Sequence, residues 1–194
     1  MAKAKEITGL HPRLGVRTAL PAIFGTRIAE LWSWAEHMPF PERVRELHNM
    51  RIAAKRLRYC FEFFHPCFDA RLEGTLKRFK KLQDFLGELH DCDVWVDYLR
   101  TQLKDAFADC DVHRKALGQF IGADLLLKAE ADTLREELAR GPVQGLLMML
   151  GDVVERRARL YGELLVFWDE LERDDFRGQL SRAVGAAARG DAGR

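Results

Sequence analysis

The chain has 194 residues, with 31 basic and 30 acidic side chains and a formal net charge of +1. Its 47% of apolar residues can form a core, which excludes disorder for most of the chain. Its near-neutral charge excludes the positive field that covers the surface of many nucleic-acid-binding domains. Leu and Ala together number 49, whereas Val, Ile and Thr number 21. This bias towards helix-forming residues predicts an all-α protein.

Helix-stop signals divide the chain. They are MPFP at residues 38–41, Pro66 and the Gly-Pro pair at 141–142, while acidic, weakly patterned residues 102–113 separate two further stretches. The expected helices cover about 13–37 (bent or interrupted at Pro21 and Gly25), 41–65, 71 to beyond 99, 114–140, 143–172 and a short segment from 174. This pattern predicts a single bundle of about six to seven helices at residues 10–188, with flexible ends at 1–9 and 189–194.

The sequence contains no recognisable targeting or membrane segment. The start, MAKAKEITGL, lacks the apolar stretch of a signal peptide, and no apolar run approaches the ~18 residues of a membrane span. A cytoplasmic protein is therefore expected. The four cysteines form no Cys-x-x-Cys pair and are expected to be reduced and structural; they are Cys60, Cys67, Cys92 and Cys110.

The near-neutral total hides segregated charge. Residues 43–58 contain six basic side chains and one acidic one, a local net charge of +5. Residues 71–81 contain five basic and one acidic, a net charge of +4, whereas residues 84–111 have a net charge of −6. Two basic helical segments are thus balanced by an acidic one, which leaves room for a narrow anion-binding surface.

On a helical wheel, one arc of about 80° on the second helix contains a row of charged residues. We call this row the basic stripe: His48, Arg51, Lys55 and Arg58, with Glu62 at its end. It lies between an apolar face and a second, smaller apolar group, which predicts a groove or channel; the two groups are Met50, Ala54, Leu57, Phe61 and Phe64, and Ile52, Tyr59 and Phe63. Because like charges repel, the stripe needs water, an anionic ligand, or internal salt bridges to Asp84, Glu88, Asp91 and Asp93.

The third helix repeats this arrangement. Lys77, Lys80 and Lys81 share one face with Asp84 and Glu88, and the expected core face is formed by Phe79, Leu82, Phe85, Leu86 and Leu89. Three polar residues fall on or beside the apolar side and are expected to be buried with partners: His90, Asp93 and Asp97. Asp93 is expected to hold an Arg or His of the basic stripe in position.

Two stretches are specific enough to indicate a family. They are HNMRIAAKRLRY at residues 48–59, followed by Glu62, and LKRFKKLQDFLGELHDCDVW at residues 76–95. Together they closely resemble the CHAD family, the conserved histidine α-helical domain. Arg157 and Tyr161, followed by Trp168, resemble the weaker C-terminal pattern of short members. The resemblance covers most of residues 10–185.

The resemblance implies a non-catalytic helical bundle that binds inorganic polyphosphate through a basic surface and central channel, without a cofactor or bound metal. Some members associate with polyphosphate granules. By motif position, the anion ligands would be His48, Arg51, Lys55, Arg56, Arg58, Lys77, Lys80, Lys81, His90 and Arg157. Supporting positions would be Tyr59, Asp91, Asp93 and Tyr161.

The chain departs from this family in one respect. Many members contain two related basic motifs, one in each half of a pseudo-symmetric bundle, whereas only one good copy is present here. Two alternatives follow. Either Arg156, Arg157 and Arg159 replace the second motif, or two chains form a homodimer that completes the site.

Other functions remain open. A metal-dependent phosphohydrolase of the HD type would use His90-Asp91, with His48 and Asp93 or Asp97 as further ligands, although the cations around His48 disfavour a metal there. A thiol enzyme would use a cysteine near a histidine.

A nucleic-acid backbone could contact the basic helices, but the rings that would stack on bases fall on predicted core faces: Phe61, Phe64, Phe79 and Phe85. A plain helical scaffold is the remaining alternative.

Overall fold

A computed structural model describes residues 3–68, 72–118 and 142–190 of the chain, and its described side chains are those of 3–68, 72–106 and 143–190. These residues form five α-helices and no strand, which confirms the all-α prediction. The helices are α1 (Val16–Trp32), α2 (Val44–Phe63), α3 (Leu72–Gly118), α4 (Pro142–Arg173) and α5 (Phe176–Arg189), with short 3-10 helices at Ala35–His37 and His65–Cys67. Most of the helix expected at 114–140 lies outside the described residues.

Two helix boundaries differ from the expectation. α1 continues past Pro21 and Gly25 without interruption, and it ends at Trp32, so that residues 35–37 form a separate 3-10 turn. α3 continues through residues 102–113, where a break was expected. That stretch contains good helix formers, including Gln102, Leu103 and Lys104, and its acidic residues do not by themselves end a helix.

The chain divides into two compact units. The first unit comprises the described residues up to His90 and those from Leu160 onward, and the second comprises those between Asp91 and Arg159. In the first unit α1 packs against both α2 and α5. Phe24 of α1 is fully buried, and its ring lies 4.6 Å from that of Phe61 and 5.4 Å from that of Phe68.

The buried face of α2 is the predicted one. Met50, Ala54, Leu57 and Phe61 are at most 2% exposed, and Phe64 packs against the same core. Burial of each such side chain stabilises the fold by about 1.5–3 kcal/mol, which fixes the rotation of α2 about its axis. The basic stripe consequently lies at the edge of this face, where its cations reach solvent.

Polar contacts hold the C-terminal helices in the first unit. Asp175 is the N-cap of α5, and its carboxylate accepts a hydrogen bond of 3.1 Å from the backbone N–H of Gly178. Arg78 of α3 donates to Asp174 at 2.7 Å and lies over the ring of Phe176. One of the five cations at 71–81 thus has a structural role. None of the described helices combines the length and the apolarity needed to cross a bilayer.

Candidate anion-binding site

The first unit brings α2 and α3 together as an antiparallel pair. The Nδ1 atoms of His48 and His90 lie 3.1 Å apart near the start of α2, and the rings of Phe61 and Phe79 lie 6.1 Å apart near its end. Positions on the two helices therefore run in opposite order, and Lys81 is roughly level with Arg58 along the pair. The two predicted basic segments are thus on neighbouring helices.

The histidine pair is part of this arrangement. The two rings are tilted by 41° with centroids 4.3 Å apart. Because both facing atoms are Nδ1, one ring must donate the hydrogen bond and the other must accept it, so the two rings hold different tautomers or share an extra proton. His48 and His90 are therefore coupled through this hydrogen bond.

Five predicted anion ligands have no acidic partner among the described side chains. Among the described side chains, no carboxylate lies within ion-pair distance of Arg51, Lys55, Lys77, Lys80 or Lys81. All of these except the half-buried Arg51 are exposed. Asp84 and Asp91 are exposed and form no ion pair within the described part of the chain. Internal neutralisation of these five cations is therefore not observed among the described side chains, which leaves water and an anionic ligand as the alternatives.

Aromatic rings position two of these lysines. The Nζ atom of Lys81 lies 4.5 Å from the ring centroid of Phe167 and 5.7 Å from that of Phe85. The Nζ atom of Lys55 lies 5.8 Å from the ring of Tyr59, which also contacts Arg58. Such contacts stabilise a cation by about 0.5–1 kcal/mol at exposed sites without neutralising its charge.

Arg58 forms the one ion pair found within the basic stripe. Its Nε lies 3.4 Å from Oε1 of Glu62, one turn further along α2. This Nε atom is buried and has no hydrogen-bond partner within the described part of the chain. An i, i+4 pair of this kind is worth only a few tenths of a kcal/mol, so an incoming anion can displace Glu62.

Arg56 faces a different direction from the stripe. Its Nη1 lies 2.5 Å from Glu30 of α1, and Glu30 also pairs with Arg27 at 2.5 Å. Glu30 is 3% exposed, so its carboxylate needs both guanidinium groups. Arg56, predicted as an anion ligand, thus holds α2 against α1. The sequence analysis missed Glu30 because a single acidic residue in a mixed helix gives no pattern.

The C-terminal candidates also have structural partners. In the second unit the Nε of Arg157 donates to Asp93. Asp93 was expected to hold an Arg or His of the basic stripe, and the arginine that it binds is a different one. Asp97, expected to be buried, is exposed. In the first unit the buried Tyr161 donates its hydroxyl to the backbone carbonyl of Met38.

The second, smaller apolar group beside the stripe is not buried at its aromatic members. Tyr59 is 48% exposed and Phe63 is 79% exposed, while Ile52 is half-buried. The opposite face of α2 already supplies the core, and an apolar residue need not be buried. On this flank the stripe borders an exposed aromatic surface.

The site offers neither a metal centre nor an activated thiol in the described part of the chain. No group of three or more His, Cys, Asp or Glu side chains there could hold a metal ion. Burial raises the pKa of the Cys60 and Cys92 thiols, which disfavours the nucleophilic thiolate. Cys60, Cys67 and Cys92 form no disulfide, and the side chain of Cys110 lies outside those described.

Comparison with known proteins agrees with the motifs. A family model of the CHAD domain matches residues 2–100, a range that contains α1, α2 and both basic segments. No curated protein and no solved structure is significantly similar to the chain. The match covers just over half of the sequence and includes the paired histidines, so the chain belongs to the CHAD domain family.

Proposed function

We propose that this chain is a non-catalytic module that binds inorganic polyphosphate through the cations of α2 and α3. One observation carries the proposal: five cations on these adjacent helices have no carboxylate partner among the described side chains. Neighbouring cations on one helix face repel each other, and a bound anion would relieve this repulsion. Membership of the CHAD family is consistent with this ligand.

The chemistry of the cluster suits a chain of phosphates. Arg51 and Arg58 supply planar guanidinium groups that can bind two oxygens at once, while the lysines supply mobile point charges. The ring that accepts the His48–His90 hydrogen bond has its N–H at Nε2, which adds one further donor at one end. Arg56 and Arg157 contribute indirectly in this proposal, because their carboxylate partners position the helices. We extend the proposal to a role at polyphosphate granules in the cytoplasm.

The binding mechanism predicts a strong salt dependence. If five cations each neutralise one phosphate, the logarithm of the binding constant should fall with the logarithm of salt concentration with a slope of about −3 to −4, by analogy with single-stranded nucleic acids. Calorimetric titration with long-chain polyphosphate at several salt concentrations measures this slope. No binding at low salt, or a flat response, would contradict the proposal. Single-stranded RNA in excess should fail to displace polyphosphate.

A single substitution should strengthen binding. Glu62→Gln removes the carboxylate beside Arg58, so no ion pair has to be broken before the guanidinium binds a phosphate. We expect the polyphosphate affinity to rise about two- to fivefold, which corresponds to the few tenths to one kcal/mol of an exposed ion pair. Glu36→Gln is the matched control, because Glu36 is exposed and carries the same charge away from the stripe. An equal rise in both variants would indicate a general charge effect.

A further inference from the structure

Two exposed aromatic rings lie beside the basic stripe. Tyr59 and Phe63 are 48% and 79% exposed, and they are four residues apart, so they occupy one side of α2 in successive turns. Both lie near the C-terminal end of α2, whereas His48 lies near its start. Neither ring is needed for the core, which the opposite face of the helix supplies. Both rings are therefore exposed on the same end of α2 as the stripe residues Lys55 and Arg58.

Tyr59 lies directly against two cations of the stripe. The Cζ atom of Arg58 lies 5.2 Å from the centroid of the Tyr59 ring, and the Nζ atom of Lys55 lies 5.8 Å from it. Tyr59 is thus in contact with the two stripe residues nearest to this end. A ligand whose phosphates bind Lys55 and Arg58 would place its next chemical group against Tyr59 and Phe63.

We propose that this surface is an aromatic subsite for the base of a nucleoside polyphosphate whose phosphates bind the basic stripe. The inference rests on the proposed function, because the phosphates use the same cations. A nucleobase stacks well on an aromatic ring and on a guanidinium plane, and both are present here. Backbone amides of a glycine-rich loop are not required, since side chains supply the whole contact.

The placement of the rings favours a mononucleotide over a nucleic-acid strand. A single strand presents alternating phosphates and bases, so its binding groove combines cations with several stacking rings along its length. On α2 the exposed rings are confined to one end of the stripe, and the first two turns of the stripe, at His48 and Arg51, have no exposed ring beside them on this helix. This arrangement matches a phosphate chain with one base at its end.

The test compares ligands that differ only in the base. Adenosine 5′-triphosphate and ribose 5-triphosphate are titrated calorimetrically into the full chain at low salt without divalent cations, and the ratio of their affinities is measured. We expect the adenine nucleotide to bind about five- to tenfold more tightly, the effect of one base–aromatic stack. The ratio should fall towards one in Tyr59→Leu and in Phe63→Ala, and it should be retained in Tyr59→Phe.

Phe40→Ala provides the matched control. Phe40 is 45% exposed and its ring lies 5.6 Å from the Cζ atom of Arg43, so it is another exposed ring beside a cation, but it precedes α2 and is not next to Tyr59 or Phe63 in the sequence. Its substitution should leave the ratio unchanged. Because each ratio is measured within one variant, a general change in phosphate affinity cancels.

The outcomes separate the two proposals. If neither triphosphate nor long-chain polyphosphate binds, the proposed function fails. If long-chain polyphosphate binds but adenosine 5′-triphosphate and ribose 5-triphosphate bind equally, only the aromatic subsite is overturned. A base effect that persists in both Tyr59→Leu and Phe63→Ala would overturn its location. Tighter binding of an adenine oligonucleotide than of adenosine 5′-triphosphate, with the same dependence on Tyr59, would overturn the choice of a mononucleotide.

Discussion

Replacing Arg51, Lys55 and Arg58 together by Ala is expected to weaken polyphosphate binding by at least about 100-fold. A hydrogen bond to a charged group contributes about 1.5–3 kcal/mol, and the losses are not additive, so a total of about 3 kcal/mol is a cautious sum. The bundle should stay folded, because the three side chains lie at the edge of the buried face and their mutual repulsion is relieved. Calorimetry measures the affinity and circular dichroism the helical content.

A charge-matched variant separates local contacts from general attraction. Arg13, Arg100 and Arg177 are exposed, and replacing all three by Ala changes the net charge by the same amount. We expect this control to lose less than about threefold in affinity, because well-separated surface charges are screened by salt. Equal losses in both triple variants would show diffuse attraction, and unchanged binding in the stripe variant would place the site elsewhere.

The second large effect concerns stability. Glu30→Gln should lower the free energy of unfolding by about 2–3 kcal/mol, because it removes the buried carboxylate that pairs with the partly buried guanidinium groups of Arg27 and Arg56. This value lies at or below the lower end of the roughly 3–5 kcal/mol usual for broken buried pairs, since the arginine side chains are 13% and 25% exposed and keep some water. Urea unfolding measures the difference, and Glu36→Gln should change it by less than about 0.5 kcal/mol.

A combined substitution tests the role of Arg56 directly. Changing Glu30 to Leu together with Arg27 and Arg56 to Met replaces the charged cluster with apolar side chains, which should restore most of the stability lost in Glu30→Gln. In this variant polyphosphate affinity should remain within about threefold of the original, since the basic stripe is intact. A loss as large as that of the stripe variant would make Arg56 a ligand.

Patterns within single helices could be predicted from the sequence. The apolar spacing of α2 identified its buried face, and proline and glycine signals identified most helix ends. The position of one basic segment relative to the other along the helix pair could not be predicted, because it depends on how α2 and α3 pack together. The ion pairs of Arg56 with Glu30 and of Arg157 with Asp93 join residues that are far apart in sequence. A helical wheel shows on which side of its helix a cation lies, but it does not show which carboxylate of another helix forms an ion pair with it.

The exposure of Tyr59 and Phe63 also could not be predicted from the sequence. Tyr59 and Phe63 were grouped with an apolar wall because their spacing is helical and their side chains are hydrophobic. Whether such a group is covered depends on the amount of apolar surface that neighbouring elements supply, which the pattern of one helix does not contain. The core of the first unit is completed by α1, α3 and the C-terminal helices instead.

The antiparallel pairing of α2 and α3 has a consequence for the direction in which a ligand binds. Each helix carries a partial positive charge at its N-terminus, and here these termini lie at opposite ends of the cationic surface, Val44 beyond His48 and Leu72 before Lys77. The two dipoles therefore cancel along the surface and add no preference for one orientation. Inorganic polyphosphate has two equivalent ends, so both orientations are available to it. A ligand with one aromatic end loses that equivalence, because Tyr59 and Phe63 lie at only one end.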